Sequence, residues 1–344
     1  MNAKPWLDPN AKAGSYALGM LGLEERKLLY QLARYTYTGE GAVVDLGAFC
    51  GASTCCLAAG MKENPRAAGR RVDSYDNFIA SEPYLVDFIR SQFGETLEMG
   101  QSFAAIFRRA TAEFADRIEV HAGDLLEQSW PPALPIEILF VDVAKTLALS
   151  GKVLTEFVTR LTPGKSIVIH QDFYHPNAFY LPVVMDFLMD HFSIIEAGRD
   201  WSAVFRLEKA IPQEKLQIAS LYKFSFAQQQ AALRRMMRRV GMPGSDYLRL
   251  SECAAIGTYF GEPQFRIALA TAIRRSTLDP DQVWSDGLAW CRDFKASRIR
   301  TRLYGAPSLM PPPTTTDKAY LMVSAVRSAF AARMAPGGKS RPIG

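Results

Sequence analysis

The sequence predicts an α/β fold: a mostly parallel seven-stranded sheet with an antiparallel hairpin at its edge, followed by an all-helical C-terminal extension. Three observations predict it. Apolar runs of strand type alternate with helical periodicity as far as about Ala210, the pattern of βα units around a parallel sheet. One run, Ile136 to Val141, is apolar nearly throughout, as a strand buried on both faces must be. From Pro212 onward the pattern is helical only.

The elements follow in order. Leu23 to Tyr37 places Leu28, Leu29, Leu32 and Tyr35 at helical spacing, and Gly39 and Gly41 end the helix. Ala42 to Leu46 is the first strand, and a helix from Ala52 to Met61 follows. Val72 to Tyr75 is the second strand. Helices are expected after Pro83 and across Ser102 to Phe114. Ile118 to His121 and Ile136 to Val141 are strands three and four. A helix from Leu149 to Leu161 leads through Thr162-Pro163-Gly164 to strand five, Ser166 to His170. An inserted helix, Leu181 to Asp190, precedes Phe192 to Glu196 and Ser202 to Leu207, which flank a Gly198-Arg199-Asp200 turn and read as a hairpin. The whole is Rossmann-like, with functional loops at the strand carboxyl ends. Expected extension helices are Gln213 to Val240, Ser245 to Tyr259, Pro263 to Arg275 and Asp281 to Arg302, with Asp317 to Met334 a further candidate. The domain reading is an arm over 1–22, a Rossmann-like domain over 23–210, a helical extension over 211–304, and a linker and tail over 305–344.

Composition narrows the class. The chain has 344 residues, 48% hydrophobic and 22% charged, with a formal net charge of +5; this is ordinary globular composition. The basic residues form no stripe of the kind a nucleic-acid binder carries. Arg234, Arg235, Arg238 and Arg239 end one expected helix; they suit its dipole, or an acidic partner. The cysteines, Cys50, Cys55, Cys56, Cys253 and Cys291, show no Cys-x-x-Cys spacing, which argues against a structural zinc site and a secreted disulfide framework. Met1 to Asn10 lacks the apolar core of a signal peptide, and no stretch approaches the roughly 18 apolar residues of a spanning helix. The expectation is a cytoplasmic protein without membrane or nucleic-acid partners, acting on a small molecule, with the extension as a candidate homodimer surface.

The first βα turn carries the chemistry. It reads Asp45-Leu46-Gly47-Ala48-Phe49-Cys50-Gly51, with Ser53 and Thr54 in the first turn of the helix behind it. A nicotinamide-type turn needs Gly-x-Gly-x-x-Gly to seat a pyrophosphate on the helix end. Here a carboxylate closes the strand and would repel a diphosphate. S-adenosylmethionine has no phosphate; its ammonium and sulfonium suit a carboxylate. Asp76, with Asn77 beside it, ends strand two, where a carboxylate can accept both ribose hydroxyls of an adenosine. Asp124 follows strand three and is placed either to receive the adenine amino group or to cap a turn.

The order Asp45-x-Gly47-x-x-x-Gly51, Asp76-x-Phe78, Gly123-Asp124, Phe140-Val141-Asp142 and Pro163-Gly164 resembles class I methyltransferases, within them the small-molecule O-methyltransferases of the catechol and macrocin types, over roughly residues 23 to 208. The resemblance implies S-adenosyl-L-methionine as cofactor, and Mg²⁺ held by acids at the ends of strands four and five. Asp142 matches the strand-four acid, and Lys145 matches the lysine that is the general base of the catechol type. At strand five those families carry Asp-Asp or Asp-Asn; this chain has Gln171-Asp172, and a Gln carbonyl is a permitted Mg²⁺ ligand that brings no charge.

Methyl transfer from a sulfonium is an in-line displacement, so the protein must align the acceptor and remove its proton. Candidate bases are Lys145, with a depressed pKa, and His170 or His175 oriented by Asp172. Phe173, Tyr174, Phe179 and Tyr180 are pocket walls or core cover. The functional expectation is methyl transfer to a hydroxyl of a natural-product or sugar-like molecule. The alternative is a non-catalytic scaffold whose helical extension binds a partner.

Overall fold

The computed structural model describes residues 19–131, 134–242, 244–276, 285–292, 294–305, 310, 312–319 and 321. Its strands are β1 (Ala42–Leu46), β2 (Val72–Asp76), β3 (Ile118–Ala122), β4 (Ile136–Val141), β5 (Ile167–His170), β6 (Phe192–Arg199) and β7 (Ser202–Leu207). They form one sheet in the order β3-β2-β1-β4-β5-β7-β6. The β1 to β5 pairings are parallel, and β7 runs antiparallel to both β5 and β6. The predicted sheet and edge hairpin are therefore present. The order reverses between β1 and β4, and the crevice at the carboxyl ends there is where such folds bind ligands.

Helices α1 (Leu23–Gln31), α2 (Ala52–Lys62), α3 (Pro83–Phe93), α4 (Ala104–Ala110), α5 (Leu147–Lys152) and α6 (Tyr180–Leu188) belong to the sheet region. Side chains alternate across a strand, and that parity splits the core. Val43, Ile138, Phe140, Ile167, Ile169 and Val204 face one way, with Leu29, Cys56, Leu57 and Phe107 packed over them. Val44, Leu46, Leu139, Val141, Val168 and Phe205 face the other way, under Phe157, Tyr180 and Leu188. Asp45 shares the parity of Val43, so its side chain turns toward α2.

The extension contains α7 (Gln213–Ser220), α8 (Phe226–Val240), α9 (Gly244–Phe260), α10 (Glu262–Arg275), α11 (Ser285–Arg292) and α12 (Ala296–Tyr304). Its apolar residues, among them Leu233, Met236, Leu248, Phe265 and Leu303, continue the second core without a break. The arginines at the end of α8 serve that docking. Arg235 and Arg239 both pair with Asp186 of α6, whose side chain is only 2% exposed, and Arg234 pairs with Glu252.

Several expected boundaries change. The single helix Gln213 to Val240 is two. Tyr222 takes a positive φ of 48°, and Ser225 with Gln228 forms a capping box that starts α8 afresh. Leu23 to Tyr37 ends in a π-turn over Leu32–Thr36. The helix expected from Leu149 begins at Leu147 under the cap of Thr146. The described part of Asp281 to Arg302 is α11 and α12. Of Asp317 to Met334, residues 322–334 lie outside the described residues, as do 1–18 of the arm. No helix among the described residues is long and apolar enough to cross a membrane.

Candidate functional site

Register brings the strand ends level. Leu46 lies between Tyr75 of β2 and Val141 of β4, and Val141 lies beside His170 of β5. Each turn is then anchored on a neighbouring strand. Gly47 and Ala48 N–H donate to the Tyr75 carbonyl at 2.9 and 3.1 Å, Asp142 N–H to Leu46 at 2.8 Å, Gln171 N–H to Val141 at 3.0 Å, and Gly123 N–H to Asp76 at 3.0 Å.

The first turn is bound up internally. Besides those two amides, Phe49 N–H donates to Asp76 Oδ2 at 2.9 Å, and Gly51 N–H to the Ala48 carbonyl at 2.8 Å. Gly47 (φ +97°) and Gly51 (φ +95°) are required by packing as well as by conformation. A Cβ on Gly47 would meet the Asp142 carbonyl carbon at 3.0 Å, and one on Gly51 would meet Thr111 Cγ2 at 2.4 Å. Four amides of the turn are thus committed to protein acceptors, and the turn offers no amide cradle to a phosphate.

Asp45 is fully buried. Its Oδ2 accepts from Ser53 Oγ at 2.8 Å and Thr54 Oγ1 at 2.5 Å, while Oδ1 has no hydrogen-bond partner among the described residues. Burial pushes its pKa up to about 7, and the two hydroxyls offset only part of that. Ser53 and Thr54, expected at the cofactor, are buried and hold Asp45. Asp76 accepts from Phe49 and Phe78 N–H and joins the first two turns, so it is not a solvated surface carboxylate; burial raises its pKa. Asn77 and Asp124 are exposed and cap local turns, accepting from Ile79 N–H and Leu126 N–H at 2.9 Å each.

On the other side of β1, Asp142, Lys145, Gln171 and Asp172 form one cluster. Lys145 Nζ donates to Asp142 Oδ1, to Asp172 Oδ2, and to Gln171 Oε1 at 3.3 Å. Burial works against the ammonium, but the two carboxylates outweigh it and hold the lysine pKa above its ordinary value. A base role needs the opposite shift. Burial alone would raise Asp172; the lysine outweighs it and holds that carboxyl low. The donors that a divalent ion would need converge on this ammonium, and a divalent ion does not fit among them as they stand. Among the described residues no group of three His, Cys, Asp or Glu side chains is arranged to hold a metal.

The histidines are differently placed. His170 is buried against Phe205, its Nδ1 has no partner among the described residues, and burial pushes its pKa down to about 4. His175 Nδ1 accepts from Asn177 N–H at 3.2 Å. That contact leaves the hydrogen of the neutral ring on Nε2, so the lone pair a base would use is already engaged. Burial also lowers the His175 pKa. Phe173, Tyr174, Phe179 and Tyr180 are all buried; they are core, and Tyr180 Oη donates to the Ala144 carbonyl in the Lys145 loop.

The structure adds residues that single-sequence reading missed. Phe49, Phe78 and Asp172 take positive φ at three strand-end turns (45°, 53° and 62°), a conformation uncommon outside glycine. Glu25 of α1 is buried, accepts from Ser202 Oγ at 2.6 Å and Gly22 N–H at 3.0 Å, and is pushed up to about 7 by burial. Arg302 of α12 is exposed and acts electrostatically on Asp172, His175 and Tyr84. It lies far along the chain and has no local signal.

Comparison with known proteins fits this geometry. Residues 44–171 match the profile of the methyltransferase domain family, a span that opens one residue before Asp45 and closes on Gln171. Those residues carry a methyltransferase domain. Similar solved structures include the O-methyltransferase NovP (15% identity, TM-score 0.43, covering 56% of this chain and 82% of that one). Another is CalS11, a calicheamicin methyltransferase (20%, 0.39, 53% and 77%). A third is an O-methyltransferase from Bacillus cereus in complex with SAH (17%, 0.34, 55% and 82%). No curated protein sequence matches.

Proposed function

We propose that this methyltransferase binds S-adenosylmethionine at the β1 and β2 turns and methylates a hydroxyl of a small molecule held toward β4 and β5. The observation that carries the reading is the first turn: four amides committed internally beside a buried Asp45 whose Oδ1 is unpartnered. Such a turn offers negative charge and no phosphate cradle, which favours a cationic nucleoside over a dinucleotide. Asp76 accepts from Phe49 and Phe78 N–H, with Asn77 N–H also contributing, and keeps lone-pair capacity for a ribose hydroxyl.

In the transfer, the acceptor oxygen loses its proton and attacks the methyl carbon. The sulfur–methyl bond breaks, and its electron pair stays on sulfur as the thioether. Lys145 is charged and both histidines are engaged or buried, so the proton goes to Asp142, the member of the Lys145 cluster that stands at the β4 end beside the cofactor turn. Alignment supplies most of the rate, because the methyl donor is already activated. Arg302 of α12 acts electrostatically on Asp172 and His175, so this reading assigns it to the acceptor side.

The test is transfer of labelled methyl from S-adenosylmethionine to a panel of hydroxylated small molecules, read by product mass. A methylated oxygen, lost in Asp142→Asn, is expected. Cofactor binding with no product on any acceptor would overturn the enzymatic reading in favour of a scaffold.

A further inference from the structure

We infer that Lys145 is a built-in replacement for a divalent cation: its ammonium occupies the position among Asp142, Gln171 and Asp172, and it steadies the acceptor oxygen without a metal. The inference deepens the proposed function and rests on it for the word acceptor, but the site itself is argued from geometry.

Three oxygen acceptors from two strand ends converge on one nitrogen. The loop is built to deliver that nitrogen. Asp142 N–H is pinned to β1, Lys145 N–H closes a tight turn on the Val143 carbonyl at 2.6 Å, and buried Tyr180 clamps the Ala144 carbonyl. From the other side, Asp172 accepts a left-handed backbone, and its carbonyl takes His175 N–H at 3.0 Å. Both halves are over-determined by hydrogen bonds, as a positioned group requires.

Charge and coordination agree with this reading. Two carboxylates and a neutral amide carry −2 before the lysine and −1 with it. A Mg²⁺ ion asks for near-octahedral oxygen ligation, and the three oxygens that would serve it are already turned to the lysine nitrogen. An ammonium has three hydrogens. Two are committed to carboxylates, and the third makes the longest contact of the set, to Gln171. That third position is the one an acceptor oxygen takes as negative charge develops on it. Gln171 brings the third oxygen without charge, as a monovalent ammonium needs.

The test uses Mn²⁺ as probe, by electron paramagnetic resonance and calorimetry, on the full chain with no cofactor or acceptor present. Wild type is expected to show no site at Asp142 and Asp172. Lys145→Ala, and Lys145→Met with its apolar stem kept, are expected to bind Mn²⁺ at least tenfold tighter than wild type. Adding Asp172→Asn is expected to abolish that gain. Melting curves verify that the variants fold. Mn²⁺ binding by wild type that Asp142→Asn removes would overturn the inference, and so would the absence of any gain in a folded Lys145 variant. These readouts need no methyl transfer, so failure of the proposed activity leaves them interpretable.

Discussion

Two buried carboxylates sit at opposite ends of the same central strands, and they are satisfied differently. Glu137, near the amino end of β4, accepts from the backbone N–H groups of Thr38 (2.5 Å), Glu40 (3.1 Å) and Gly41 (3.1 Å). Both of its oxygens are used, and the loop entering β1 is tied to the sheet. Asp45, at the carboxyl end of β1, has one oxygen held by α2 and the other unpartnered. Buried polar groups are nearly always paired. At the amino end the carboxylate is fully used by backbone donors, and at the carboxyl end one carboxylate oxygen is left over, which the proposed reading gives to a ligand.

The largest effect that sharpens this comparison is on stability. Glu137→Ala strands three backbone donors and is expected to cost about 3 kcal/mol or more in denaturant unfolding. The cofactor affinity of the molecules that remain folded should not change. Asp45→Asn is expected to do the reverse: cofactor affinity falls about tenfold to a hundredfold, roughly 1.4 to 2.7 kcal/mol, while the melting temperature at pH 8 holds or rises. If the two variants gave the same pattern, the contrast between the sheet ends would be broken.

A pH series sharpens it further. The Asp45 carboxyl stands near 7 in the fold against 3.8 free, so the folded state holds an extra proton between those values. Its contribution to stability is complete below about 4 and is lost as pH rises through 7. The melting-temperature advantage of Asp45→Asn over wild type should widen between pH 5 and pH 8, as should that of Glu25→Gln, for the same reason. A constant difference would mean that the carboxyl stays ionised in the fold. The smallest structural effect belongs to Arg302→Ala. The side chain is exposed, so stability should stay within about 0.5 kcal/mol, while the KM for acceptor rises several-fold at unchanged cofactor affinity.

Much of the fold is legible locally. The run of β4 marks a central strand to the residue, because burial on both faces leaves it apolar from Ile138 to Val141, with Glu137 at its amino end held by backbone donors. The placement of Asp45 near the end of β1 also follows from pattern, since it follows the apolar run Ala42-Val43-Val44. Other features depend on tertiary neighbours. Gly51 was legible as a turn glycine, but Thr111, whose methyl its hydrogen faces, lies sixty residues away in sequence. Lys145 reads as a base until Asp172 arrives from the next strand and fixes its charge. His170 reads as a strand-end base, yet the antiparallel β7 sets Phe205 against its ring and takes it from water. The break before α8 was locally visible in Ser225-x-x-Gln228, a capping box within a longer helical pattern.

The central claim is that the Asp45 turn binds a cationic nucleoside. Calorimetric titration of wild type, Asp45→Asn and Glu137→Gln with S-adenosylmethionine at pH 8 tests it most directly. The account predicts a single site in wild type, weakened at least tenfold in Asp45→Asn and unaltered in folded Glu137→Gln. No binding to wild type, or equal binding to wild type and Asp45→Asn, would contradict it.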